Sequence, residues 1–138
     1  MQIAALVDGT EKSFWEVPRV KHQVVFVVPV GNRIASYRLI PAPYLPESIR
    51  RMPTMWSVET SADGLKWSPL TTVLEPDPKA QKTHSISATI KHGPYYRFTF
   101  QATSGDENLI RIGEFSADLV GDNNSSAIMA FDPGRIEQ

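Results

Sequence analysis

Residues 53–70, Pro-Thr-Met-Trp-Ser-Val-Glu-Thr-Ser-Ala-Asp-Gly-Leu-Lys-Trp-Ser-Pro-Leu, restrict the folds open to this chain more than any other stretch. From Met55 to Ser61, large or branched residues alternate with small or polar ones, the period-two pattern of a half-buried strand, with Trp56, Val58 and Thr60 on one face. Asp63-Gly64 follows at once and tolerates the positive φ of a tight turn between antiparallel strands. Lys66 to Val73 is the expected returning strand. Trp56 and Trp67 each offer roughly 150–250 Å² of surface, and the plain expectation for both is packing in or beside a core.

The same logic places further strands. Leu6-Val7 before Asp8-Gly9, and then Phe14-Trp15, read as a strand, a loop and a short strand. Gln23 to Val30 is rich in β-branched residues and lacks polar partners, which predicts a strand buried on both faces. Gly31-Asn32 is a turn, and beyond it Ala35, Tyr37 and Leu39 form the expected inner face, although Ile34 and Ile40 fall on the other set with Arg38. Pro41 to Pro53 is irregular, with a short helical turn expected from Glu47 to Met52. Strands are further expected at Thr83 to Ile90, at Tyr95 to Thr103 with Tyr96, Phe98 and Phe100 inward, and at Leu109 to Val120 with Ile110, Ile112 and Phe115 inward. About eight strands at short spacing, with no long helix and no repeat, predict an all-β antiparallel sandwich over residues 1–120, followed at 121–138 by a tail or docking extension.

At 138 residues the chain fits one domain with its own core. Fourteen basic and fifteen acidic residues leave a formal net charge of −1, too little to recruit nucleic acid or an anionic membrane. The absence of cysteine removes disulfide scaffolds, thiol catalysis and thiolate metal sites. Met1 to Asp8 lacks a basic run followed by an apolar core, so no signal peptide is expected, and no apolar run approaches the ~20 residues of a membrane span. His22, His84 and His92 are too far apart in sequence to form a metal motif, and no nucleophile elbow, phosphate loop or dinucleotide fingerprint is present. A non-catalytic chain is the expectation.

Taken together, Val7-Asp8-Gly9, Ser13-Phe14-Trp15, Asn32-Arg33-Ile34, the Trp56 to Trp67 hairpin, Tyr95-Tyr96-Arg97-Phe98 and Ile110-Arg-Ile-Gly-Glu-Phe115 resemble discoidin domains. These are the coagulation-factor type C domains and the related galactose-binding-like carbohydrate-binding modules. The match runs over about residues 5 to 120, and its most specific piece is the strand, Ser-x-Asp-Gly, Trp arrangement. The resemblance implies an eight-stranded jelly roll with ligands bound at the loops of one end and no catalysis. It also implies a structural calcium ion held by Asp8, Ser13 and Glu114 with loop carbonyls, toward the six to eight oxygens at about 2.3–2.6 Å that calcium takes. The alternative for Asp8 and Ser13 is turn capping. The His and Arg-Gly-Asp pattern of the fucose-binding branch is missing, so ligand specificity does not carry over.

Sugar recognition needs an aromatic face for the C–H side of a ring and a few planar polar groups for its hydroxyls. Loop candidates are Tyr44, which is favoured, with His92, Arg50, His22, Asn32, Tyr95 and Lys21; Arg50-Arg51 also reads as an anion contact or as solvated surface. Two functions remain open. One is a glycan-binding attachment module at an extracellular or virion surface, in a bacteriophage tail or head. The other is a structural β-sandwich subunit or decoration protein that touches neighbouring virion proteins or forms homo-oligomers.

Overall fold

Hydrophobic alternation decides which residues meet across the sandwich, and the breaks in that alternation decide where strands change partner. The computed structural model describes residues 3–9, 14–18, 22–42, 47–106 and 108–133. Along the chain come a 3-10 turn at Ile3–Val7, β1 (Trp15–Pro18), β2 (His22–Val27), β3 (Asn32–Ile40), the short helix α1 (Ser48–Arg51), β4 (Pro53–Ser61) and β5 (Ser68–Leu74). A 3-10 turn at Pro78–Ala80 follows, then β6 (His84–Ser85), β7 (Tyr95–Thr103), β8 (Leu109–Ile112), β9 (Glu114–Gly121) and β10 (Met129–Phe131). None of the described helices is long and apolar enough to cross a membrane.

The strands form a five-stranded sheet, β10-β2-β7-β4-β5, a three-stranded sheet, β6-β3-β9, and a β1-β8 ribbon, all antiparallel. Strand β7 is central. Its inward residues Tyr96, Phe98 and Phe100 are opposite Thr60, Val58 and Trp56 of β4, while Tyr96 and Phe98 also face Phe26 and Val24 of β2. All three aromatic residues are fully buried, as are Trp56 and Val58. Across the sandwich Phe26 stacks on Phe115 of β9 at 3.9 Å between ring centroids, and Tyr37 of β3 meets Phe98 edge-on at 5.0 Å. The Trp56 indole N–H donates to the Tyr37 hydroxyl at 2.8 Å, so the polar tips of two buried rings satisfy each other. Burial pushes the Tyr37 hydroxyl pKa well above its ordinary value.

Ten strands are found among the described residues where about eight are expected, and the differences fall at strand ends and breaks. The Leu6-Val7 segment is a 3-10 turn with Leu6 buried, not a strand. Strand β2 stops at Val27; Val28 is buried, while Val30, beyond Pro29, is 81% exposed. In β3 a bulge between Ile34 and Ser36 resets the alternation, so Ile34 points inward together with Tyr37 and Leu39, and Ala35 is only half-buried. The expected Thr83 to Ile90 strand shrinks to His84–Ser85. There the Ser87 hydroxyl bonds the Thr89 side chain and backbone N–H at 3.3 Å each, local bonds that compete with a ladder. The returning strand of the hairpin begins at Ser68 instead of Lys66.

The expected Leu109 to Val120 strand is cut at Gly113, where the chain leaves the ribbon with β1 and joins β3 in the three-stranded sheet. Gly113 N–H donates to the Ile40 carbonyl at 2.8 Å, and a Cβ at this position would lie 2.8 Å from the Ala42 and Pro41 backbone. The segment after Val120 docks on the sandwich itself, since Met129–Phe131 pairs with Val25–Val27 at the edge of the five-stranded sheet. Gly113→Ala is expected to destabilise the domain by about 1–3 kcal/mol, because backbone rather than a flexible side chain must yield. A urea midpoint equal to that of the wild type would refute the close approach at this switch.

Candidate functional site

The loops lie at two ends of the sandwich. At the turn end are the β2–β3, β4–β5 and β6–β7 connections and the segment after β9; at the helix end are Asp8-Gly9, α1, the β5–β6 loop and the β7–β8 loop. The ligand candidates read from sequence divide between these ends. Asn32, His92 and Tyr95 are at the turn end, and His22 and Arg50 at the helix end. Tyr44, Lys21 and Ser13 lie outside the described residues.

Most of these side chains are engaged by the protein itself. Asn32 is 9% exposed, donates to the carbonyls of Asn123 and Ser125 at 3.0 Å each and accepts from Asn123 N–H, so it pins the loop after β9. His92 uses both ring nitrogens, one with the Tyr96 hydroxyl and one with the Ser87 carbonyl, each at 2.8 Å. His22 pairs with Asp132 at 3.2 Å and packs edge-on against Trp15. Arg50 bonds Glu47 and the Gly105 carbonyl. Its neighbour Arg51 is half-buried between Glu16 and Asp106, at 2.7 and 2.8 Å, and Glu16 also accepts from Arg111 at 2.8 Å. That network ties β1, α1, β8 and the β7–β8 loop together.

Tyr95 is different, because it lines a groove of about 400 Å³ on the outer face of the five-stranded sheet with Trp67, Arg97, Met129 and Phe131. The floor comes from the outward positions of β2 and β7, one wall from β10 and the other from the Asp63-Gly64 hairpin. The Asp63 carboxylate accepts from Leu65 N–H, Lys66 N–H and the Ser61 hydroxyl at 2.8 to 3.0 Å, and Gly64 takes φ +78 against the Tyr95 ring. This fixed turn delivers Trp67, whose ring lies 4.4 Å from the Arg97 guanidinium carbon. Arg97 in turn grips Glu59 through two bonds of 2.9 Å each, a planar fork held beside an aromatic plane. Sequence reasoning assigned Trp67 to packing and named Tyr95 alone of this set. The outward period of β7, Tyr95 then Arg97, was the available signal; β10 gave none.

At the helix end, Glu114 accepts the Gly9 N–H at 3.1 Å through Oε1, while its buried Oε2 has no hydrogen-bond partner among the described residues. Burial raises the Glu114 pKa, the Gly9 bond opposes this, and the Asp8 charge raises it further. A partly buried carboxylate with an unsatisfied oxygen beside a second carboxylate is chemistry that an oxygen-ligated cation would relieve. No cluster of three His, Asp or Glu able to hold a metal occurs among the described residues.

Two other carboxylates show the opposite shift. Asp63 is held down to about 2 by the Lys66 and Leu65 N–H groups and Ser61, and Asp106 to about 2 by the Asn108 N–H, Arg51 and the Leu109 N–H. A folded pKa below the unfolded value of roughly 4 gives stability that is complete above that value and lost as the pH falls through the folded one. The melting-temperature gap between wild type and Asp106→Asn is therefore expected to be constant from pH 7 to about 5 and to close towards pH 2. A gap that persists at pH 2 would count against the shift.

No protein-family model matches the chain, and no curated protein matches it. Solved structures do. A carbohydrate-binding module, CBM32-3, from a family 31 glycoside hydrolase of Clostridium perfringens superimposes with a TM-score of 0.65 at 20% identity, covering 88% of this chain and 83% of the other. CpGH89CBM32-5 of the same organism, solved with GalNAc-β-1,3-galactose, gives 0.61 at 15% identity over 81% and 79%. Chitosan-binding module 1 from a chitosanase/glucanase of Paenibacillus sp. IK-5 gives 0.59 at 15% identity over 85% and 84%. With the strand pairing and the interlocked aromatic core described above, these likenesses establish that the chain has the galactose-binding-like, discoidin-like jelly-roll fold.

Proposed function

We propose that the chain is a non-catalytic glycan-binding module whose ligand lies in the groove formed by Trp67, Tyr95, Arg97 and Phe131. The observation that carries this reading is the convergence of three half-buried aromatic side chains from three elements around about 400 Å³, with the Arg97–Glu59 fork beside them. Aromatic planes take the C–H faces of sugar rings, and the fork offers planar donors and acceptors to hydroxyls. The sugar ligands named for the similar solved structures, GalNAc-β-1,3-galactose among them, support the ligand class. An extracellular or virion surface, where glycans are displayed, is the setting this reading calls for.

A second reading, a subunit of an assembly, draws on the turn end. Val30, Ile90 and Val120 are 81%, 42% and 42% exposed and border one hollow of about 630 Å³. Such a patch suits contact with neighbouring virion proteins or a second copy of the chain.

A glycan array followed by calorimetry separates the two. Binding by the wild type that weakens about fivefold in Trp67→Ala and in Tyr95→Ala, but not in Arg50→Ala, is expected, since each lost stacking contact is worth about 1 kcal/mol. Retained affinity in a folded Trp67→Ala protein overturns the groove, and silence across the array with a stable oligomer in light scattering favours the assembly subunit.

We also propose that Asp8 and Glu114 hold a structural calcium ion, with Ser13 and loop carbonyls completing the shell. The support is the buried Glu114 Oε2, without a hydrogen-bond partner among the described residues, beside the charge of Asp8. The folded pKa of Glu114 is raised, so without metal its ionisation costs stability as the pH rises through that value. Glu114→Gln is therefore expected to melt at or above the wild-type temperature in chelator, and to lose the upward shift that calcium gives the wild type. An equal calcium response in both proteins would remove Glu114 from the site.

A further inference from the structure

Glu75, directly after β5, is 5% exposed, and its backbone N–H is fixed to the Thr54 carbonyl at 2.8 Å. Its carboxylate is incompletely satisfied. Oε1 has no hydrogen-bond partner among the described residues, and Oε2 lies 3.8 Å from Lys82 Nζ, close enough for an ion pair and too far for a hydrogen bond. A buried carboxylate oxygen left without a donor is costly, so an external donor is worth more here than at the surface.

Glu75 also lines a cleft of about 10 Å³, shared with Trp56, Pro78, Gln81, Lys82 and His84. That is room for one oxygen-sized group. Gln81 and Lys82 are exposed and form the mouth, while Trp56 and His84, edge to face with ring centroids 5.2 Å apart, form the inner wall. Burial lowers the pKa of His84, an effect that the Glu75 charge opposes and the Lys82 charge reinforces.

Chemistry narrows the occupant. A calcium-like ion needs six to eight oxygens, whereas this cleft offers one carboxylate beside a lysine. An anion would face Glu75. A hydroxyl has the right chemistry, because it can donate to a carboxylate oxygen and accept from an ammonium with the same atom.

We propose that Glu75, Lys82 and the Trp56–His84 wall form a second carbohydrate contact at the helix end, which accepts a single sugar hydroxyl onto the buried Glu75 carboxylate. It rests on the glycan-binding reading for its ligand class but not on the groove, from which it is separate in the fold.

Titration of ¹⁵N-labelled protein with methyl β-galactoside, N-acetylglucosamine and chitobiose, read at the Trp56 and Trp67 indole resonances, tests it. Expected is a saturable shift of Trp56 that persists in Trp67→Ala, weakens at least tenfold in Glu75→Gln and weakens in Lys82→Ala, whose exposed side chain is not needed for folding. A stationary Trp56 with every sugar while Trp67 moves overturns the cleft and leaves the groove standing; the cleft then holds only water. Movement of Trp56 alone removes the groove, and stillness of both overturns both proposals. Unchanged affinity in folded Glu75→Gln also overturns the cleft.

Discussion

The two sheets are held face to face by an aromatic lattice that tolerates little sliding. The Phe26–Phe115 stack and the Tyr37–Phe98 edge contact cross the interior, and the indole N–H of Trp56 ends on the Tyr37 hydroxyl. A purely aliphatic core would gain burial from many relative positions of the sheets. Directional ring contacts and a buried hydrogen bond favour one register. Tyr96 extends the same logic to the turn end, where its hydroxyl receives the Ile34 N–H at 3.0 Å and meets His92 at 2.8 Å. The hydroxyl therefore anchors both the start of β3 and the loop before β7.

Departures from regular alternation set the outer surface. The Ile34 to Ser36 bulge turns Ile34 inward, and Gly113 lets one chain segment serve the β1 ribbon and then the three-stranded sheet. Closing the ribbon brings Glu16 between Arg51 and Arg111, so three charges stay hydrogen-bonded despite partial burial. The helix end thus has a rigid ionic base, whereas the groove wall opposite the hairpin is a three-residue strand.

Long alternating stretches were legible from sequence. Tyr95 to Thr103 and the Trp56 strand appear where the pattern places them, because one face of each is buried against many partners. Strand ends and breaks were not legible. Nothing local in Ser87 or Thr89 shows that their hydroxyls will bond each other rather than leave the backbone to a ladder. Gly113 is a visible glycine whose reason, the backbone of Pro41 and Ala42, lies some 70 positions away in sequence. The candidate site was legible residue by residue but not as a constellation. Asn32 and His92 have the chemistry of ligand residues, yet the fold uses that chemistry internally. Tyr95 gains significance only once β10 and the hairpin flank it.

That flanking strand links shape to occupancy. Met129–Phe131 is held to β2 by a three-residue ladder, with the adjacent Asp132 reaching back to His22. So short a ladder detaches at a lower free-energy cost than the central strands. Anything seated against Phe131 and Met129 therefore shares its free energy with this edge, and filling the groove and zipping the last strand become two readings of one equilibrium.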